Sequence, residues 1–344
     1  MLHRIARAAV TFAALSIVAP VAASAADDPA GVAAMAPLAP LRALLAEYAR
    51  KDARLQSIGW KLTRANVGFC ESAPLATGLL LQDAMNFRAG DKVRSALGHQ
   101  SPIAVGAVAA GSPAEQAALV AGDEILAVNG DAMTALPPVA AGNYDRLIRL
   151  EDRVDTALAR SGKLSLSVRR GPGDAPRRVE LRGEPACPSR FELSPDIEVG
   201  AAEGKRVIIH PDALREASEP GLAVIVAHEL AHNLLHHRVR LSAAGRSAQN
   251  IRATEREADR LAVWLLANAG YEPENTAAFM RSFGKRTDPG IFGDRTHDNW
   301  KVRAGTIDSE VAALRAAPRD ANGKWDWRPR FSPAALAQTF AHKP

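Results

Sequence analysis

Between Ala223 and His237 the chain reads AVIVAHELAHNLLHH, an apolar run broken only by a glutamate, an asparagine and four histidines. No other stretch restricts the fold as tightly. Residues this apolar must be buried, and a glutamate and imidazoles buried with them need partners. His228 and His232 stand four apart, so on a helix they share one face about 6 Å apart along the axis. Both imidazoles then reach a single zinc ion at about 2.0–2.1 Å, and Glu229 lies beside them to deprotonate a bound water.

A catalytic zinc needs a third protein ligand and an open fourth position. His236 is eight residues beyond His228, about 12 Å of helix, so one ion cannot be reached from both. His236 and His237 therefore read as surface residues closing the helix, where cations are favoured. The third ligand is sought in TEREADRLA, residues 254–262. Glu255 and Asp259 are four apart and share a face with Ala258, Ala262 and Leu266, whereas Glu257 points about 200° away. Glu255 is the expected ligand, and Asp259 is expected to accept the second N–H of a zinc-bound histidine. The competing reading is that all three carboxylates decorate a helix start.

These blocks resemble the M48 peptidases, a gluzincin family. The match consists of His228–His232, then Glu255, Glu257, Ala258 and Asp259, then Thr296-His297 with Arg303 six residues later. The resemblance covers about residues 190–310. It implies that His297 binds or gates the zinc or steadies the tetrahedral intermediate, with Arg303 assisting. The family usually has Pro after that histidine; here Asp298 departs from the pattern. The resemblance also implies that the strand at Gly204–His210 forms the cleft edge and pairs with an extended substrate.

A second resemblance precedes this one. Residues 103–108 read IAVGAV, 111–119 GSPAEQAAL and 121–130 AGDEILAVNG. A strand leads to a helix capped by Ser112 with Pro113 at its first position, Gly122-Asp123 turns, a strand follows, and Asn129-Gly130 makes a hairpin-type turn. A helix over 144–160 carries Leu147, Leu150, Val154 and Leu158 on one face, and strands follow at Leu164–Val168 and Val179–Leu181. This segment resembles a PDZ domain. The resemblance implies binding of C-terminal or extended peptides beside the second helix, with Gly78, Leu79, Leu80 and Leu81 as the carboxylate nest. The alternative is a structural insert packed on its neighbour.

His3, Arg4 and Arg7, the uncharged stretch Ala8–Ala26 and the Ala23-Ser24-Ala25 triplet form the pattern of a secretory signal peptide. Export to the periplasm or medium is expected, with no membrane-spanning segment after cleavage. Export also lets Cys70 and Cys187 pair across the start and end of the PDZ-like stretch, the alternative being two buried thiols. Basic residues number 43 and acidic ones 38 with no long run, and aromatics are 5%, so nucleic acid is not an expected partner. Leu41–Leu55 reads as a helix and Ile58–Phe69 as extended. Residues 316–344, with Trp325 and Trp327, carry no pattern that assigns them a role.

The expected fold class is α+β: a PDZ-like β-sandwich or barrel module plus a mainly helical gluzincin domain with a short edge-strand sheet. The expected segments are 1–25 signal peptide, 26–75 helix and strand or linker, 76–186 PDZ-like, 187–315 peptidase and 316–344 extension. The expected activity is zinc-dependent cleavage of protein or peptide substrates, with one Zn2+ per chain and Glu229 as base. The alternatives are a binding or chaperone module whose zinc site is gated or structural, and a zinc amidase acting on cell-wall peptides.

Overall fold

The first helix is a wall shared by both halves of the molecule. In the computed structural model, which describes residues 38–197, 199–287 and 298–336, α1 spans Leu38–Ala65. Ile58–Ala65 is thus helical, not extended. Its second half buries residues on nearly every side, including Leu55, Gln56, Ile58, Trp60 and Leu62, because it lies between the two halves. Burial on opposite faces erases the one-sided helical period that sequence reading depends on. Gly59 is where Phe191 crosses; a Cβ there would lie 2.3 Å from its ring. The signal-peptide segment lies outside the described residues.

Beyond α1 come β1 (Leu75–Ala76), β2 (Leu79–Asp83), α2 (Gly90–Leu97), β3 (Ile103–Val108), α3 (Pro113–Gln116), β4 (Glu124–Val128) and β5 (Asp131–Ala132). Then follow α4 (Asp145–Ser161), β6 (Lys163–Arg169), β7 (Arg177–Arg182) and β8 (Glu184–Pro185). An antiparallel sheet runs β2-β3-β4-β6-β7, with β5 beside β4. Ser112 caps α3 through Glu115 N–H, and Pro113 opens that helix. Asn129 and Gly130 both have positive φ, +50° and +93°, as the tight hairpin requires. Leu164, Leu166 and Val168 point into a core shared with Leu147, Leu150 and Leu158 of α4. β1 and β8 pair antiparallel, and Cys70 and Cys187 form a disulfide just outside them.

The second half holds β9 (Arg190–Leu193), β10 (Gly200–Ala202) and β11 (Arg206–Ile209). Its helices are α5 (Pro211–Glu216), α6 (Glu219–Leu234), α7 (His237–Ala244), α8 (Ala248–Asn268), α9 (Glu274–Thr287), α10 (Trp300–Ala316) and α11 (Pro333–Leu336). Helices α6 and α8 form the centre of a core to which α1 contributes Leu55, Ile58 and Leu62. The C-terminal segment joins the same core: Trp325, Trp327 and Phe331 are buried in it. Asn66 and Asn268 fasten that segment, Asn268 bonding both N–H and C=O of Trp325 while Trp327 Nε1 donates to Asn66. Buried Glu310 accepts from Arg260, Arg330 and Trp264 Nε1. Among the described residues no helix is long and apolar enough to cross a membrane.

One buried acid lies on the shared wall. Asp52 of α1 is 3% exposed, and its Oδ1 has no hydrogen-bond partner among the described residues. Burial, with the nearby Glu192 carboxylate adding to it, pushes Asp52 up to about 8. An unfolded aspartate ionises near pH 4, at about 3.9. The folded state therefore holds a proton that the unfolded state has lost, and stability falls as pH rises from about 4 to about 8. Asp52→Asn should flatten that decline by at most about 1.4 kcal/mol per pH unit. Urea melts at pH 5 and pH 8 test this; an identical pH slope in the variant would refute it.

Candidate metal centre

Two capped helices bring the metal-type ligands together. Ser218 caps α6 by accepting from Gly221 N–H, with Pro220 in the first turn, and Ser247 caps α8 by accepting from Asn250 N–H. From Leu222 to Ala227 every α6 residue is buried, so the helix cannot roll to expose another face. Packed on α8, it sets His228 and His232 against Glu255, a group that could hold a metal ion. The Nε2 atoms of the two histidines are 3.1 Å apart. Glu255 Oε2 lies 3.3 Å from His228 Nε2, and Oε1 lies 3.5 Å from His232 Nε2. Ligands at 2.0–2.1 Å around a tetrahedral ion sit about 3.3 Å from one another, so these atoms approximate one face of such a shell.

Glu229 sits beside this group and under the sheet. A Cβ on Gly200 would stand 2.9 Å from Glu229 Oε1 and 3.0 Å from its Cγ, so only glycine lets β10 lie this close to the carboxylate. The sheet order is β10-β11-β9, which corrects the expectation for Gly204–His210. β11 is the middle strand, paired antiparallel with β10 and parallel with β9, and has no free edge for a substrate. Gly204, at φ +92°, turns the chain so that β10 folds back along β11. The edge strands are β10 and β9, and β9 gives the C=O groups of Phe191 and Leu193 to Gln56 and Tyr48 of α1, which leaves β10 as the edge nearest Glu229. Asn233, next to His232, holds this hairpin by accepting from Gly204 N–H at 2.7 Å and donating to Arg206 C=O at 3.0 Å.

Behind His228, Asp259 Oδ1 comes within 3.0 Å of Nδ1. At that distance the carboxylate is placed to accept from the buried Nδ1–H. Arg303 grips Asp259 through two bonds of 2.7 Å. Burial alone would raise Asp259, but the guanidinium outweighs it and keeps the carboxyl below its usual range. Burial also opposes charge on His228, yet Asp259 and Glu255 prevail and lift that imidazole above its usual range. His232 goes the other way, pulled down by burial and by charge on His228.

Arg303, expected to assist at the reacting centre, spends its fork on Asp259. His297 lies outside the described residues, as does Thr296. Asp298 accepts from Arg256 at 2.5 and 3.0 Å and so ties the segment before α10 to α8 beside Glu255. His236 is exposed, 3.0 Å from Glu71, as a helix-closing residue would be. His237 is not: it is 1% exposed, which corrects the surface assignment. His236 adopts φ +53°, ending α6 and starting α7 in a new direction, and this turns His237 back against His232 and Glu257. Sequence reasoning missed the pairing of His237 with Glu257 because it carried the first helix straight through His236 and His237. The apolar Leu234-Leu235 pair just before them was the available sign that burial continues past the helix end.

Of the peptide-nest residues, Gly78 has φ +67° and gives its C=O to Ala109 N–H, while Ser112 stands where a Cβ would go. Leu79, Leu80 and Leu81 lie in β2, the outer strand of the larger sheet, with Leu79 and Leu81 packed against the core that α4 covers. Residues 82–142 match the PDZ domain, from β2 to the turn before α4. No curated protein matches the chain. PDZ domains bind peptides, and the matched residues carry β2 to β5 of the larger sheet in this α+β molecule.

Proposed function

We propose that the chain is an exported zinc endopeptidase whose PDZ module delivers extended or C-terminal peptide segments to the catalytic half. The observation that carries this reading is the cluster of His228 Nε2 and His232 Nε2, 3.1 Å apart, with the two Glu255 oxygens 3.3 and 3.5 Å from them and Glu229 next to His228 in the same helix. Two imidazoles and one carboxylate are a donor set suited to catalytic zinc. Zinc bound there would polarise a substrate carbonyl and acidify a water.

The chain's own groups supply the rest. Glu229 accepts a proton from the attacking water and returns it to the leaving amine. β10 offers backbone N–H and C=O groups along which an extended substrate can align. Asp259, fixed by Arg303, orients His228. Export is read from residues 1–25, and peptide capture from the free edge of β2 next to α4. A structural zinc site has no use for a carboxylate placed like Glu229, which favours catalysis over a pure binding role.

The test is cleavage of a permanently unfolded protein by the chain starting at Asp27, with zinc counted in the same sample. Cleavage should stop when a chelator removes the metal and return when stoichiometric zinc is restored. A folded sample that holds no zinc, or cleavage that survives its removal, would overturn the proposal.

A further inference from the structure

The ligand helix is followed by one more buried imidazole than a three-ligand site uses. His237 lies five residues after His232, and in a continuous helix it would point about 140° away. The break at His236 removes that offset. His237 Nδ1 lies 2.8 Å from His232 Nδ1, and its Nε2 lies 3.0 Å from Glu257 Oε2. Glu257, 1% exposed, is bound in turn by Arg240 at 2.5 and 3.3 Å. His237 faces the back of His232, away from the Nε2 that meets Glu255, so it is no fourth ligand.

We propose that His237 is a positioning residue that fixes the tautomer and orientation of His232 through a relay from Arg240 and Glu257. This rests on the metal reading above. The hydrogen positions follow from one end of the chain. A carboxylate paired with arginine only accepts, so His237 Nε2 carries the hydrogen. A neutral ring then has a bare Nδ1, which must accept from His232 Nδ1–H. That leaves His232 Nε2 bare and aimed at Glu255 and His228, the form a metal requires. The two ligand histidines are thus held differently. His228 is backed directly by the Asp259–Arg303 pair; for His232 a second imidazole stands between ring and carboxylate.

The experiment compares the wild type with His237→Leu and His237→Gln. Zinc affinity is measured by chelator competition on samples shown to be folded by circular dichroism. The ring nitrogens of His232 are read by 15N NMR in the metal-free protein. Leucine should weaken zinc binding about 10–100-fold and release His232 into mixed tautomers. Glutamine offers an acceptor and a donor in the same order and should restore most of both. A folded leucine variant with wild-type affinity, or an Nε2–H tautomer of His232 in the metal-free wild type, would overturn the relay. Wild type that binds no zinc but keeps the Nδ1–H tautomer would fault the metal assignment while supporting the relay. If leucine prevents folding, the wild-type tautomer and the glutamine variant still decide.

Discussion

Glu229→Gln should retain about one zinc per chain and lose roughly 10³-fold or more of its cleavage rate, within the range for removing a general acid–base group. The amide is nearly isosteric with the carboxylate, so the tight approach of Gly200 is preserved and α6 should pack as before. The three side chains proposed to hold the metal are untouched, which is why metal content should not follow activity. An amide cannot accept the proton at neutral pH, so the loss should fall on kcat with KM little changed. Metal analysis and steady-state kinetics on one preparation make the comparison. Cleavage at the wild-type rate would remove Glu229 from the reaction.

Opening the Cys70–Cys187 bridge should produce the largest change in stability. The bond closes a loop with a sequence separation of 117 residues. In the chain-entropy account, a loop of about 100 residues is worth about 4.7 kcal/mol. Other contacts hold the same neck: the β1–β8 pair, Ala186 N–H to Pro74 C=O, and Cys187 N–H to Thr63 C=O. They confine the loop only in the folded state, whereas the disulfide restricts the unfolded chain as well. A Cys70→Ala/Cys187→Ala variant is therefore expected to lose about 3–5 kcal/mol, toward the lower figure if the unfolded neck keeps residual structure. Guanidinium melts of the oxidised protein and the variant measure it. Coincident curves would show that the bridge contributes nothing to stability.

The parts of the candidate site that follow from one helix were legible in the sequence. His228 and His232, and then Glu255 and Asp259, are each spaced four apart, and each pair lies on one face. Features made by a change of chain direction were not. His237 faces His232 only because His236 takes a left-handed conformation, and nothing in the letters of two adjacent histidines announces that. β10 is three small residues, Gly200-Ala201-Ala202, with no β-branched side chain to mark a strand, so the strand beside it was read as the edge. The helical second half of α1 was hidden for another reason: with neighbours on most sides it keeps only a narrow polar stripe, Arg54, Ser57, Lys61 and Arg64, to reveal its period. The tryptophans at 325 and 327 gave no pattern because their segment is irregular, held by Asn66 and Asn268 from distant parts of the chain.

The neck has a consequence for how such a molecule can be assembled and altered. The Cα atoms of Cys70 and Cys187 are 5.7 Å apart, little more than the 3.80 Å between consecutive residues. Everything between them is a closed detour, and the polypeptide resumes almost where it departed. A recombination event could insert, exchange or delete such a cassette without stretching the host framework, whose ends a single intervening residue can join. What would resist deletion is the apolar side of α1 that Trp60 shares with Ala109 of the PDZ half. A substitute cassette would need only closely spaced ends and an apolar patch to cover that side.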